Sequence, residues 1–463
     1  MNELTKQQQE GKLFIIDKGC SVIVADVAGA GKTYMILDSL LEQQINNLPA
    51  LIITIKPGLS VWESELIKWY NLPSVVYTGT PKKRELLQNE IATSQFVITT
   101  YPMLKELLDK FGSSFFKTLV LDEYHMYGFI NRKSKFYKQV HSICRKLKVI
   151  PTSGTPMRRN PSDLFTALSV VDPNRFTSFW KFANEFCIVT KDRFGYVIEQ
   201  LPNNVAEFRA MLSNYMLRRE KDDLPPRIRQ AIISEMTQKQ NNAYKQLVAA
   251  MTLELSDDKV LLTPNQMTKI LRCRQLLVTP RIFGIDENGG ALDMLLDQVE
   301  LELSNDNPCI IFTPFTEAIP FIEQQLRLKL KSQVLIYKIH GGMTYEQYKD
   351  VQEQFQTEPS TNKLVICSIK SGASMTLTDA TVALFLGYEW SPTDQDQAES
   401  RTHRKGQTKS VRCLYFLYKG TSDELIIDTL NQKQLSIDVS IGLTPHDYYA
   451  KMISINNLGK EIK

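Results

Sequence analysis

One stretch near the amino terminus constrains the chain more than any other. The apolar run Ser21-Val22-Ile23-Val24-Ala25 is followed by Asp26-Val27-Ala28-Gly29-Ala30-Gly31-Lys32-Thr33 and then by Tyr34-Met35-Ile36-Leu37. The first run reads as a buried strand and the last as the start of a helix, so residues 28 to 31 fall where a strand turns into a helix N-terminus. Small residues there let backbone N–H groups wrap a phosphate. Lys32 would reach the β and γ phosphates of a nucleotide, and the Thr33 hydroxyl would bind Mg2+. Asp26 stands where the usual G-x-x-x-x-G-K-[ST] pattern has its first glycine. The plainer alternative is an ordinary glycine-containing turn with a chance Lys-Thr pair.

Apolar runs of strand length recur downstream, at Ala50 to Ile55, Phe96 to Thr100, Thr118 to Leu121 and Leu147 to Ile150. Helical periodicity fills intervals between them, as in Leu59 to Trp69 and Lys82 to Ile91. Strands buried on both faces and alternating with helices predict a parallel α/β sheet with right-handed crossovers. A second set follows at Cys309 to Phe312, Gln333 to Ile336, Leu364 to Cys367, Val382 to Leu386 and Val411 to Phe416, without a phosphate loop of its own. At 463 residues the chain exceeds a single core, and length suggests two or three domains; the two sets of strands are read as two lobes, 1–225 and 226–463.

Between the two sets, from Asp163 to about Pro280, the periodicity turns helical. Phe176, Phe179, Trp180, Phe182 and Phe186 fall at helical spacing there; a core stripe is the plainer reading and a base-stacking platform the alternative. Pro225 and Pro226 mark a linker. Gln240 to Met251 and Asn265 to Leu277 read as helices.

Three further groups carry chemistry. Thr118 to Leu121 runs into Asp122-Glu123-Tyr124-His125, where Asp122 is suited to hold Mg2+ and Glu123 to orient and deprotonate an attacking water. Acidic pairs also occur at strand ends as helix caps. Thr152-Ser153-Gly154-Thr155-Pro156 is either a sensor of the γ phosphate or a plain turn. In Gln397-Ala398-Glu399-Ser400-Arg401-Thr402-His403-Arg404-Lys405-Gly406-Gln407, a helix would align Gln397, Arg401 and Arg404 on one face. Guanidiniums there would serve as arginine fingers on a γ phosphate; a solvated basic helix is the alternative. Near the start, Leu4 to Gly11 reads as a short amphipathic helix. The amide of its Gln8 suits the edge of an adenine, although polar surface is the simpler account.

Composition narrows the class. With 43% hydrophobic and 23% charged residues this is an ordinary globular chain. The formal charge of +4 permits nucleic-acid binding without requiring it. Seven scattered cysteines without a C-x-x-C pair argue against zinc and against a disulfide framework. No apolar run approaches the roughly 20 residues that span a bilayer. The expectation is an intracellular protein, cytoplasmic or nucleoid-associated, or nuclear in a eukaryote, with no membrane partner.

Taken in order, these stretches closely resemble the SWI/SNF-type ATPases, the double-stranded-DNA translocase branch of helicase superfamily two. In that family the loop reads D-x-x-G-x-G-K-T, which accounts for Asp26. Leu4, Gln8 and Gly11 match its glutamine motif, Asp122 to His125 its DEAH-type box, and Gln397 to Gln407 its Q-A-x-x-R-x-x-R-x-G-Q box. Ser153 to Pro156 resembles its third motif, Met216 to Pro225 the segment joining its lobes, Leu271 to Pro280 its second helical insertion, and Gly420 to Glu424 a later short motif. The match runs from about residue 4 to 433. Tyr124 is bulkier than the usual Ala or Gly, Ser371 to Leu377 is one residue short of the fifth motif, and an Arg common near Tyr348-Lys349 is absent.

The resemblance implies an α/β fold of two RecA-like parallel-sheet P-loop lobes with helical insertions between the third and fourth motifs, at about 163–215 and 235–280, and a C-terminal tail. It implies a DNA-dependent ATPase using ATP and Mg2+ and translocating on double-stranded DNA, with possible protein partners for targeting. A strand-separating DNA or RNA helicase is the alternative. The implied catalytic set is Lys32, Asp122, Glu123, Arg401 and Arg404. Gln8, Asp26 through Thr33 and Gln397 would hold the nucleotide, and Thr33 and Asp122 the metal.

Overall fold

The computed structural model of the chain describes residues 4–27, 29–125, 127–193, 195–219, 225–255, 264–330, 334–371, 375, 377–403 and 407–442. They divide into two compact units, one made of residues up to 219 with 433–442, the other of 225–432. Each is built on a parallel sheet.

In the first unit, β1 (Ile23–Val24), β2 (Ala50–Thr54), β3 (Val75–Tyr77), β4 (Phe96–Thr100), β5 (Thr118–Asp122) and β6 (Lys148–Thr152) share a sheet. β7 (Cys187–Asp192) and β8 (Gly195–Pro202) form a separate antiparallel hairpin, after which β9 (Met216–Leu217) returns to the sheet edge. The order is β3-β4-β2-β5-β6-β1-β9. Every residue of β2 is buried, as expected of a parallel strand covered by helices on both faces. Register sets Asp122 and Val24 each opposite Thr152, and Val24 opposite Leu217. The loops leaving β1, β5, β6 and β9 therefore emerge abreast on one edge.

The second unit holds β10 (Arg227–Ser234), β11 (Cys309–Thr313), β12 (Leu335–Ile339), β13 (Lys363–Ser368), β14 (Val382–Leu386) and β15 (Val411–Tyr418), in the order β10-β15-β14-β11-β13-β12. Successive residues feed opposite cores: Cys309, Ile311, Leu364 and Ile366 one, Ile310, Phe312, Val365 and Cys367 the other. Phe312, Phe385 and Tyr415 stack across three strands at 5.0 and 4.7 Å between centroids.

The structure departs from the sequence expectations in several places. The region read as helical from Asp163 to about Pro280 also contains the hairpin, β9 and β10. Ile188, Val189, Thr190, Val197 and Ile198 are β-branched and favour extended backbone, and Gly195, at φ 133°, closes the ribbon opposite Asp192. The prolines before β10 stop a helix, and the strand then pairs with β15 along eight residues. Lys82 to Ile91 is two short helices, Pro81–Leu86 and Gln88–Thr93. β12 lies two residues later than read, and Gln333 is outside the described residues. Of the aromatic stripe, Phe176, Phe182 and Phe186 are core, whereas Trp180 is 41% exposed. Among the described residues no helix is long and apolar enough to cross a membrane.

Gly290 opens the helix Gly290–Ser304 with its Cα against the carbonyl of Glu235; an added Cβ would lie 1.9 Å from that oxygen. Backbone cannot yield as a flexible side chain does. Gly290→Ala is expected to destabilise the second unit by about 1–3 kcal/mol, read as a lowered urea midpoint without loss of secondary structure before the transition.

Candidate functional site

The edge shared by β1, β5, β6 and β9 carries the first cluster. After β1 the chain turns through Gly29 and Gly31, at φ 79° and 84°, a region that suits glycine. Gly31 is the N-cap of the helix Lys32–Glu42, whose first turn has no side-chain cap and no acidic residue, so its N–H dipoles are left for an anion. A Cβ on Gly31 would also strike Gln8 Nε2 at 2.3 Å. Lys32 Nζ folds back to donate to the carbonyls of Asp26 (2.9 Å) and Val27 (3.2 Å). Burial pushes the Lys32 ammonium down to about 8, against Glu123, Asp26 and Asp122, which favour its charge. Thr33 is half-buried beside it. Ala28 lies outside the described residues.

Gln8 is almost fully buried in the helix Lys6–Asp17. Its Oε1 accepts from Thr5 N at 3.1 Å in a capping box, and its Nε2 donates to Ala30 O at 3.5 Å. The amide thus braces the loop against the preceding helix. Asp26 is wholly buried and takes a two-pronged ion pair from Arg219, with Nη2 to Oδ2 at 2.6 Å and Nε to Oδ1 at 3.3 Å. The aspartate in place of a glycine is therefore an anchor for an arginine beyond β9.

Glu123 follows β5 in the left-handed region, at φ 50°, which costs about 1–3 kcal/mol in a residue with a side chain. Neighbours hold it there. Tyr124 N donates to Thr152 O at 3.4 Å, Tyr124 Oη to Pro156 O at 2.7 Å, and Tyr101 Oη to Asp122 O. The bulk of Tyr124, packed edge-on against Phe129, thus ties the acidic pair to the turn after β6. Asp122 Oδ2 accepts from Thr54 Oγ1 at 2.7 Å and Trp62 Nε1 at 2.9 Å. Burial, then repulsion from Glu123, raises the Asp122 carboxyl above its ordinary value. Ser153 Oγ donates to Glu123 Oε2 at 3.1 Å and lies 2.8 Å from His125 Nδ1, while Thr155 N donates to it at 3.0 Å. The turn after β6 is thus wired to the Glu123 carboxylate.

The second unit carries the other cluster. The helix Pro392–Glu399 ends before Arg401, so the one-face alignment expected of Gln397 and Arg401 does not form. The chain instead tightens, with Arg401 N and Thr402 N each donating three residues back, to Ala398 O and Glu399 O. Arg401 is buried, giving Nε to Gln397 O at 2.7 Å and Nη1 to Met375 O at 3.2 Å. Gln407 Nε2 gathers the carbonyls of Thr378, Ala380 and Thr402. Arg404 and most of the fifth-motif stretch are outside the described residues.

Sequence reasoning missed Thr54, Trp62, Glu399 and the arginines at 219, 227 and 229. Glu399 is wholly buried and receives Arg229 Nη2 at 2.6 Å, Arg227 Nη1 at 2.9 Å and the Tyr415 hydroxyl. Burial works against the Arg229 charge, but the Glu399 carboxylate outweighs it and holds the guanidinium well above its ordinary value. The signal was the i, i+2 spacing of Arg227 and Arg229 after the prolines, a strand pattern with one face charged.

Comparison with known proteins agrees with the motif order. A model described as the SNF2-related domain matches residues 4–282, and one described as the helicase conserved C-terminal domain matches 290–406. The human "DNA annealing helicase and endonuclease ZRANB3" is 26% identical over 446 residues, covering 92% of this chain and 39% of that protein. The Drosophila melanogaster "SWI/SNF-related matrix-associated actin-dependent regulator of chromatin subfamily A-like protein 1" is 26% identical, covering 94% and 55%. A Mycoplasma genitalium protein named "Uncharacterized ATP-dependent helicase MG018" is 25% identical, covering 94% and 42%. The chain thus spans roughly half or less of these relatives. Among solved structures, the Sulfolobus solfataricus SWI2/SNF2 ATPase core in complex with dsDNA is 23% identical, with a TM-score of 0.43, covering 99% of this chain and 97% of that one. Matched by the SNF2-related model over more than half its length, the chain belongs to the SNF2-related family.

Proposed function

We propose that this chain is a DNA-dependent ATPase that couples ATP hydrolysis to movement along double-stranded DNA, remodelling DNA or protein–DNA complexes. The observation that carries it is the meeting of Lys32 with Asp122 and Glu123 on one sheet edge, in a chain of this family. Lys32, with the backbone from Asp26 to Thr33, holds the phosphates at the uncapped helix start, and Gln8 braces that loop. The oxygen donors of Thr33 and Asp122 suit Mg2+, and Thr54 and Trp62 orient the aspartate. The metal when bound neutralises charge on the β and γ phosphates. Glu123 receives the proton of the attacking water, and Ser153 and His125 hold its carboxylate in place.

In this reading the two lobes are 1–225 and 226–463, with insertions at about 163–215 and 235–280. Gln397, Arg401 and Arg404 of the second lobe belong to the same proposal, as groups for the nucleotide. Arg401 must then exchange the carbonyls of Gln397 and Met375 for phosphate oxygens as hydrolysis proceeds. Relatives named as DNA annealing helicases and chromatin regulators support DNA as the partner. Phosphate contacts would supply most of the affinity and make it salt-sensitive. Protein partners for targeting belong to the same proposal.

Phosphate release by the full chain tests this. Duplex DNA is expected to stimulate it more than single strands or RNA, and Lys32→Ala and Glu123→Gln to lower the stimulated rate by about 100-fold or more. Stronger stimulation by single strands or RNA, with fork unwinding, would make it a strand-separating helicase instead.

Lys32 supplies a second test. A triphosphate stabilises the lysine cation, so binding raises a folded-state pKa that starts at about 8. Protons are then taken up on binding near pH 8, and nucleotide affinity falls as pH rises through that value. Titration calorimetry at pH 8 in buffers of different ionisation enthalpy should report this uptake, which Lys32→Met should remove.

A further inference from the structure

The helix Lys6–Asp17 is fastened to the phosphate loop and to the helix that follows it at three points. Gln8 Nε2 donates to Ala30 O at 3.5 Å. Lys12 Nζ pairs with Asp38 at 2.8 Å and with Glu42 at 2.9 Å. Arg219 joins the Gln7 carbonyl to the Asp26 carboxylate. Lys12 lies one turn beyond Gln8 on the same helix face, so the polar groups of that face are committed to the protein itself.

Reading the edge of a base takes an amide that can turn one acceptor and one donor toward it. Gln8 is only 4% exposed. Its Oε1 accepts from Thr5 N at 3.1 Å, and the Thr5 hydroxyl accepts from Gln8 N in return, so both halves of the capping box are closed. Its Nε2 rests on Gly31, in the space that a Cβ there would fill. To turn toward a base the amide would have to release Thr5 N and withdraw from Gly31 and Ala30. An amide built into the support of the loop does not at the same time measure a base.

We propose that Gln8 is a positioning residue and that the nucleotide site accepts purine nucleoside triphosphates as a class, without selecting adenine through this amide. This rests on the ATPase reading above. Affinity comes from the phosphates, which every such nucleotide shares, at Lys32 and the uncapped start of the helix Lys32–Glu42. Without hydrogen bonds aimed at the base, shape alone separates close analogues, by about 100-fold at most, whereas a site built on such bonds reaches about 10,000-fold.

Titration calorimetry of the full chain with ADP and with GDP, each with Mg2+, tests this. The expected ratio of the two Kd values stays within about 100-fold, and GTP supports duplex-stimulated phosphate release. Gln8→Glu keeps the capping box, because a carboxylate closes it as an amide does, and loses the donor to Ala30 O. It should weaken ADP and GDP alike, by about fivefold, the worth of one hydrogen bond, and leave their ratio unchanged. Gln8→Ala should act in the same direction on both nucleotides; if it does not fold, Gln8→Glu decides. An ADP preference beyond about 100-fold, failure of GTP to support release, a variant that weakens ADP alone, or variants that weaken neither nucleotide would each overturn the inference while leaving the ATPase reading intact. A parent chain that binds neither nucleotide and releases no phosphate from ATP overturns both.

Discussion

Parallel pairing of β1, β5, β6 and β9 is the constraint on which the rest depends. Parallel strands end on the same edge, so loops far apart in sequence emerge side by side wherever their strands are neighbours. The order β5-β6-β1-β9 brings residues 25–27, 29–31, 123–125, 153–156 and 218–219 together without further contacts having to recruit them. Side chains then lock what the sheet has aligned: Ser153 to Glu123, Tyr124 to Pro156, Arg218 to Gly154 and Arg219 to Asp26.

Charge is gathered on that edge as well. Burial, then repulsion from Glu123, raises the Asp122 carboxyl, and burial likewise lowers the Lys32 ammonium. Under the proposed function, a nucleotide phosphate with a divalent cation would favour the charged form of both groups. The left-handed backbone at Glu123 adds a conformational cost at the same point.

The second unit solves a different problem. Its sheet is sealed by two cores, and the Phe312-Phe385-Tyr415 stack extends one of them toward Glu399. Glu399 would be costly to bury alone, and Arg227, Arg229 and Tyr415 offset that cost. Arg219 in the first unit and Arg227 and Arg229 in the second thus each finish on a buried carboxylate, Asp26 in the one and Glu399 in the other.

The sequence by itself determined the class of fold and the residues of the first edge. Buried strands carry continuous apolar runs, and phosphate loops and paired carboxylates have fixed local spacing, so Lys32, Asp122 and Glu123 were legible from nearest neighbours alone. Where strand residues carry mixed character, as in the hairpin, β9 and β10, helical periodicity was read instead, because the pairing that extends them comes from elsewhere in the chain. The same limit hid the arginines. Arg219 meets Asp26 across nearly 200 residues and Arg229 meets Glu399 across 170, and no local pattern records which buried carboxylate an arginine will find. Arg401 illustrates the converse: its spacing from Gln397 promised a helical face, yet the helix ends at Glu399 and the guanidinium turns to main-chain carbonyls. Spacing assigns residue types to a motif, but only the folded chain decides which groups satisfy one another's charge and hydrogen bonds once water is excluded.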